Sequence, residues 1–186
     1  MIEKIILGTV QLGLPYGINN IAGKPSPDQA FDILDKSWEI GIRSLDTAID
    51  YGDSQEVLGR YFVSRKNKFE VLSKFKISND KSIEMQLLNT LKTLSLTNLC
   101  CFSHHQVTDV SLESLKQLLP LKERGMLKKI GVSVYSNEDF EKMIYVDEID
   151  VIQLPFNLLD NWKLRGELIS KAISRNKEIH IRSAFL

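Results

Sequence analysis

The sequence predicts an α/β fold, a (β/α)8 TIM barrel in which about seven of the eight strands are present. Short runs rich in Val, Ile and Leu alternate with longer amphipathic patterns through all 186 residues. Several of these runs are apolar at nearly every position, which is typical of parallel strands covered by helices. The glycine signature of an open, nucleotide-binding sheet is absent, because Gly8 and Gly13 are too far apart and no helix is expected there.

Seven strands are expected from the apolar runs. Each run is short and bounded by turn-forming or polar residues, as barrel strands usually are. The predicted strands lie at roughly residues 4–9, 42–47, 69–75, 98–105, 129–134, 149–154 and 178–183.

The helices between the strands carry recognisable start and stop signals. In the first, Ser26 is a capping residue, Pro27 occupies the first helical position and Gln29 the third, and Gly41 follows the last turn. The later helices each show one apolar face. They are predicted near residues 81–96, 110–124 and 162–175.

Composition excludes several classes of protein. The chain has 24 basic and 24 acidic residues, so no net field attracts nucleic acid or an anionic membrane. No window approaches the ~18 consecutive apolar residues of a membrane helix, and the N-terminal run is too short for a signal peptide. We therefore expect a cytoplasmic protein that forms one incomplete barrel domain over residues 1–186, with no nucleic-acid or membrane partner.

Polar residues follow the predicted strands one after another, and a closed barrel would bring these strand ends to one mouth. Taken singly, each has a structural explanation, such as a capping aspartate, a solvated lysine or a packed loop tyrosine. Their succession on consecutive strand ends favours a functional site instead. The residues are Asp46, Lys74, the pair His104 and His105, Ser133, Gln153 and Arg182, with Tyr51 in the loop after the second strand.

Asp46, Tyr51 and Lys74 suggest acid–base chemistry. An ammonium beside a phenol favours phenolate, so Lys74 should lower the pKa of Tyr51. We expect Asp46 to pair with Lys74 and offset its desolvation, leaving Tyr51 as a general acid. A Schiff-base role for Lys74, as in some aldolases, is less favoured because Asp46 would hold the amine charged.

Six stretches of the sequence carry a family resemblance. They are Leu7–Gly13, Leu45–Ala48 continuing to Tyr51–Gly52, Leu72–Lys74, Gly131–Ser133, Ile152–Asn157 and Ile181–Leu186. By these stretches the chain resembles the aldo-keto reductases end to end, and more narrowly the bacterial members associated with polysaccharide biosynthesis loci. The resemblance implies an enzyme that reduces a small aldehyde or ketone with NADPH, or less often NADH, and without a metal.

The resemblance also implies roles for single residues. Tyr51 would be the proton donor, and Lys74 and Asp46 would tune it. The family histidine would be one of the pair, and we favour His105 over His104, because an ungapped alignment from the preceding helix reaches His105. Strand alternation agrees, since it places His105 on the same face as the small residues Cys101 and Ser103.

The cofactor-binding residues implied by the resemblance lie on five strands. Ser133 and Gln153 would hold the nicotinamide carboxamide, and Asp46 would approach the nicotinamide ribose. Gly8 and Thr9 would border the cofactor, and Arg182 stands where many members stack an aromatic ring on the nicotinamide. The sequence departs from the family pattern at Val134, where an asparagine often follows the serine.

The chain ends at Leu186, just past the seventh predicted strand, so we expect a C-terminally truncated barrel. The resemblance implies that the missing segment carries the contacts to the phosphate that distinguishes NADPH from NADH. Unpaired sheet edges would then allow self-association. The alternative function is therefore a catalytically silent truncated barrel that acts as an interaction protein or remnant.

Overall fold

The computed structural model describes residues 2–18, 20–157, 159–160 and 162–184. Its strands follow chain order in the sheet, and the pairs β1–β2, β2–β3, β5–β6 and β6–β7 are parallel. This alternation of parallel strands and helices confirms the predicted α/β class and all seven predicted strands. The strands are β1 Ile6–Gly8, β2 Ser44–Asp46, β3 Glu70–Phe75, β4 Leu99–His104, β5 Leu127–Ser133, β6 Val151–Pro155 and β7 Glu178–Arg182.

Seven α-helices lie in the described part of the chain, and the four predicted ranges each contain one. The expectation that no helix follows the first strand is wrong, because α1 begins at Val10; its single turn is too short to show a helical period in the sequence. The sequence pattern yields no predicted range for α3 or α6. The helices are α1 Val10–Gly13, α2 Pro27–Glu39, α3 Ser54–Ser64, α4 Ile83–Leu94, α5 Leu112–Glu123, α6 Asn137–Ile144 and α7 Trp162–Ser174.

The ends of α2 form as the sequence predicts. The Ser26 side chain accepts a hydrogen bond from the Gln29 N–H, and the Gln29 side chain accepts one from the Ser26 N–H. These two bonds satisfy donors that a helix start leaves open. Gly41 follows with φ +100°, a conformation that favours glycine.

The described residues group into two compact units. The first holds β1 to β3 with α1 to α4, the second holds β5 to β7 with α5 to α7, and the boundary within β4 follows Cys100. Each unit has its own buried apolar side chains, including Leu45 and Leu58 in the first and Ile130 and Phe140 in the second. The end of the closing sequence motif, Phe185 and Leu186, lies outside the described residues.

None of the helices in the described ranges has the length and apolar character needed to cross a membrane.

Helices α3 and α4 approach each other closely at Gly59. A Cβ built on Gly59 would lie 2.0 Å from the carbonyl oxygen of Thr93, a backbone atom that cannot swing away. Gly59 therefore allows the two helices to touch, at the cost that glycine brings to a helix interior.

We expect Gly59→Ala to lower the free energy of unfolding by about 3 kcal/mol, because overpacking against backbone outweighs the better helix propensity of alanine. Urea denaturation followed by circular dichroism measures this change. Gly8→Ala is the matched control, since a Cβ there meets nothing within 4 Å. A Gly59→Ala protein as stable as the parent, or more stable, would contradict the close contact.

Candidate active site

A buried ion pair joins the ends of β2 and β3. The Lys74 Nζ lies 2.5 Å from both carboxylate oxygens of Asp46 and 3.4 Å from the Thr47 carbonyl oxygen. The Lys74 side chain is only 4% exposed and that of Asp46 only 17%. The pairing expected from the sequence is therefore observed, and it places a fixed positive charge inside the first unit.

Tyr51 lies beside this ion pair, in the turn that leads from β2 into α3. The Lys74 Nζ is 5.3 Å from the centre of the Tyr51 ring. The Tyr51 N–H donates to the Ala48 carbonyl at 3.2 Å, and the Tyr51 carbonyl accepts from the Ser54 N–H at 3.0 Å. The turn thus fixes the backbone of Tyr51 on both sides and holds its half-buried ring near Lys74.

The pKa of Tyr51 is raised from its ordinary value of 10.0, mainly because burial disfavours the phenolate. The charge of Lys74 and its hydrogen bond lower this pKa, as the sequence predicts, but the negative charge of Asp46 raises it again. The expectation of a net lowering therefore requires correction. Tyr51 keeps its proton at neutral pH, which is the state a proton donor needs.

Thr9 holds Asp46 in position through the backbone. The Thr9 N–H and hydroxyl both donate to the Asp46 carbonyl, at 2.9 and 3.0 Å. The Ser54 hydroxyl lies 2.9 Å from the Thr9 hydroxyl and 3.3 Å from that of Thr47, and all three side chains are buried. The Thr9 side chain is thus engaged in positioning Asp46. Its expected contact with the cofactor stays a prediction.

A second buried contact ties α3 to β3, next to Lys74. The Gln55 side-chain amide donates to the Ser73 hydroxyl at 2.9 Å. Sequence analysis missed Ser54 and Gln55, although both are polar residues in the first turn of a helix that starts just after Tyr51. Both side chains are buried, and the local sequence pattern does not show burial.

Two glycines allow α1 to approach the Tyr51 turn. A Cβ on Gly13 would lie 1.8 Å from the Tyr51 carbonyl oxygen, and one on Gly52 would lie 2.4 Å from the Gly13 carbonyl oxygen. Gly52 also has φ +56°. No larger residue fits at either position without moving Tyr51.

In the second unit, Ser133 and Gln153 lie opposite each other on β5 and β6. The Ser133 hydroxyl donates to the Gln153 side-chain oxygen at 3.2 Å, and the two residues are register partners. Val134, which replaces the frequent asparagine, is only 1% exposed and donates its N–H to the Gln153 carbonyl at 2.9 Å. A hydroxyl and an amide are thus presented side by side, and Val134 belongs to the core.

The two neighbouring histidines differ in their surroundings. His104 is fully buried, with Nδ1 3.3 Å from the Gly131 carbonyl and Nε2 2.9 Å from the Ser114 hydroxyl at the start of α5. Burial lowers the pKa of His104, which favours the neutral ring. His105 follows the strand and is half-buried. The side chain of His104 is therefore already engaged between β5 and α5.

The remaining predicted residues occupy strand ends. Gly8 pairs with Asp46 in the β1–β2 register, and its position is open on the side where a Cβ would project. Arg182 ends β7, opposite Pro155 of β6, and its guanidinium lies 4.2 Å from the centre of the Tyr135 ring. The first unit thus gathers Gly8, Thr9, Asp46, Tyr51 and Lys74, and the second places Ser133, Gln153 and Arg182 on adjacent strands.

Comparison with known proteins agrees with this architecture. The model of the aldo/keto reductase family matches residues 4–181. Methylglyoxal reductase DkgA of Escherichia coli K12 is 27% identical over 124 residues, which are 64% of this chain and 45% of that protein. D-arabinose 1-dehydrogenase of Saccharomyces cerevisiae is 26% identical over 151 residues, 72% of this chain and 43% of that protein.

A solved structure of similar fold is the aldo-keto reductase from Klebsiella pneumoniae in complex with NADPH. Its TM-score is 0.76 at 19% identity, covering 97% of this chain and 63% of that chain. The likeness confirms the fold class predicted from the sequence. The chain spans about half the length of the curated relatives it matches.

Opposite charges around Tyr51 predict opposite responses to two substitutions. Lys74→Met removes influences that lower the pKa of Tyr51, so this pKa should rise further; Asp46→Asn removes one that raises it, so the pKa should fall. NMR titration of carbon-labelled tyrosine, assigned with Tyr51→Phe, measures both values. Each variant should lose about 3–5 kcal/mol of stability by leaving a buried charge alone, so circular dichroism must first show that it is folded.

An equal pKa of Tyr51 in the two variants, or pKa shifts in the same direction, would show that the Asp46–Lys74 pair does not act on Tyr51.

Proposed function

The chain belongs to the aldo/keto reductase family, and on that premise we propose that it reduces a small aldehyde or ketone to an alcohol with NADPH, or with NADH. The observation that carries this proposal is the buried Asp46–Lys74 ion pair beside Tyr51. The alternative of a catalytically silent remnant or interaction protein is not favoured, because a buried ion pair without a catalytic use is costly to maintain.

In the proposed reaction, Tyr51 is the general acid. When bound, the nicotinamide cofactor would supply a hydride to the carbonyl carbon, and negative charge would then build on the carbonyl oxygen. The Tyr51 hydroxyl donates its proton to that oxygen, and the phenolate that remains is stabilised by the ammonium of Lys74. Asp46 holds Lys74 in place through both carboxylate oxygens. Because the pKa of Tyr51 is raised, its proton is retained at neutral pH until substrate is present.

Several residues fit the nicotinamide cofactor. The adjacent hydroxyl of Ser133 and amide of Gln153 match the donors and acceptors of a carboxamide, which supports their assignment as its ligands. Because Val134 is buried in the core, the contacts to the carboxamide would be made by Ser133 and Gln153. Asp46 would approach the nicotinamide ribose. The space beside Gly8, where a Cβ would meet nothing within 4 Å, would let the cofactor approach the backbone. Arg182 offers a planar group for stacking.

We assign the substrate-polarising histidine to His105. The engagement of His104 with Gly131 and Ser114 supports this choice, because a ring held by two partners in the core is not available to a carbonyl. His105 would donate a hydrogen bond to the carbonyl oxygen as charge develops on it.

The finer resemblance to bacterial members associated with polysaccharide biosynthesis loci supports the proposal that the substrate is a carbonyl of a sugar derivative. The E. coli relative is named for methylglyoxal, so a panel that contains both methylglyoxal and keto-sugars separates the two substrate classes.

Tyr51→Phe tests the general acid. We expect reduction of methylglyoxal or of a keto-sugar to fall by about 10²–10⁴-fold, because the proton donor is lost, while NADPH binding is unchanged. Turnover is measured by NADPH absorbance and binding by NADPH fluorescence. Tyr145→Phe is the control, since Tyr145 is half-exposed beside Lys171 and Arg175 and should keep full activity. Full turnover by Tyr51→Phe would exclude Tyr51 as the acid.

Paired histidine variants test the assignment of His105. His105→Gln should reduce kcat by about 10²-fold or more, because a donor to the developing oxyanion is weakened. His104→Gln should instead lower the free energy of unfolding by about 1–3 kcal/mol, since Gly131 and Ser114 lose a buried partner. Steady-state kinetics and urea denaturation are compared for the two proteins. A large kcat loss confined to His104→Gln would reverse the assignment.

A further inference from the structure

Arg165, in the first turn of α7, bonds to the ends of two strands at once. Its Nη1 donates to the Pro155 carbonyl at 2.6 Å, and its Nη2 donates to the Tyr135 carbonyl at 3.1 Å. Pro155 is the last residue of β6, and Tyr135 follows shortly after the end of β5. One guanidinium therefore connects the chain at the ends of two neighbouring strands, and these two bonds are called the Arg165 bridge below.

The Arg165 bridge lies where the main-chain ladder between β5 and β6 stops. The two strands pair in register up to Ser133 and Gln153, and the Val134 N–H then donates to the Gln153 carbonyl at 2.9 Å. Pro155 has no N–H, so β6 cannot donate a ladder bond at that residue. Strand ends that lack ladder bonds open more easily than strand centres. The bridge supplies side-chain bonds at the point where the backbone has none to give.

The guanidinium of Arg165 is itself held in place. Its side chain is only 15% exposed, and its Nε lies 3.9 Å from the Asp160 carboxylate. Asp160 in turn accepts the N–H of Asn157 at 3.1 Å, within the loop that follows β6. A guanidinium presents its donors in a rigid planar fork, which suits two carbonyls at a set separation. All three nitrogens of Arg165 thus face groups of this chain, and its function is to hold those groups.

A second contact fastens α7 to the connection that leaves β5. The Asn137 side-chain amide, at the start of α6, donates to the Leu164 carbonyl at 2.9 Å. Leu164 directly precedes Arg165. Two neighbouring residues of α7 therefore bond on either side of Ser136, so the short connection between β5 and α6 is fixed relative to the helix.

The strand ends that Arg165 holds carry the proposed carboxamide ligands. The Ser133 hydroxyl donates to the Gln153 side-chain oxygen at 3.2 Å. Ser133 and Gln153 each stand two positions before a residue of the bridge, Tyr135 and Pro155 respectively. A binding site must hold its contacting groups to within about 0.5 Å of the productive geometry. The spacing of this pair therefore depends on whether the strands stay together just beyond it.

We propose that Arg165 is a positioning residue for the carboxamide site. By holding the carbonyls at both strand ends, it fixes the spacing between Ser133 and Gln153. The proposal rests on the proposed function, in which these two residues bind the nicotinamide carboxamide. Arg165 itself touches neither the cofactor nor the substrate, so its loss should weaken recognition of the carboxamide and leave the rest of the dinucleotide recognised as before.

Hydrogen exchange followed by NMR tests the bridge without using a ligand. Arg165→Met removes the donors and keeps an unbranched side chain, so the Val134 N–H should exchange about tenfold faster, since the strand end loses two charge-assisted bonds. The Ile130 N–H, in the middle of β5, donates to the Asp150 carboxylate at 2.8 Å and should keep its protection. Unchanged exchange at Val134, or equal acceleration at Val134 and Ile130, would overturn the proposal.

Two further variants separate the bridge from general effects of charge. Arg175→Met is the matched control, because Arg175 contacts the Tyr145 ring and lies 3.9 Å from Asp147, away from both strand ends; Val134 exchange should not change. Arg165→Lys keeps the charge but lacks the planar fork, so it should behave like Arg165→Met. An Arg165→Lys protein that matches the parent would overturn the proposal. If circular dichroism shows that Arg165→Met is unfolded, Arg165→Lys replaces it in both experiments.

Dinucleotide binding then tests the link to the carboxamide. Fluorescence titration gives the Kd of NADPH and that of its 3-acetylpyridine analogue, in which a methyl ketone replaces the carboxamide. In Arg165→Met the Kd of NADPH should rise about tenfold and that of the analogue by clearly less, because only the carboxamide uses the full pair of ligands. An unchanged ratio of the two Kd values would overturn the proposal. A parent protein that binds neither dinucleotide would refute the proposed function, and hydrogen exchange at Val134 would then decide by itself whether Arg165 fixes the strand ends.

Discussion

The ion pair between Asp46 and Lys74 is the interaction on which the first unit depends. Lys74 is 3% exposed, and moving an ammonium from water to such a place costs several kcal/mol unless an anion accompanies it. Asp46 supplies that anion through both oxygens. The two residues end or nearly end adjacent parallel strands, so the β2–β3 pairing itself brings their charges together.

The surrounding polar contacts are consequences of this requirement. An ion pair in the interior is useful only when its geometry is fixed. Thr9 donates two hydrogen bonds to the Asp46 carbonyl, and the Ser54 hydroxyl in turn bonds to Thr9. Ser54 also restrains the Tyr51 turn, because its backbone N–H donates to the Tyr51 carbonyl. Gly13 completes the arrangement, since it lets α1 pack directly on that carbonyl. Tyr51 is thereby placed by backbone contacts, and its side chain is left for chemistry.

Two charges and burial compete over the proton of Tyr51, and burial prevails. A proton donor must hold its proton until the substrate oxygen gains charge, and it must then give up that proton without leaving an unstable phenolate. Burial provides the first property and Lys74 the second.

The sequence by itself determined the seven strands, the capped start of α2 and the pairing of Asp46 with Lys74. These features follow from local apolar periodicity, from residues with strong backbone preferences and from the rule that parallel strands end at one edge. The tertiary structure alone decided the net direction of the Tyr51 pKa shift, the engagement of His104 with Gly131 and Ser114, and the contact between Arg182 and the Tyr135 ring. Each of these depends on burial or on contact between residues far apart in the chain, and a local pattern carries no information about the depth at which a side chain will lie.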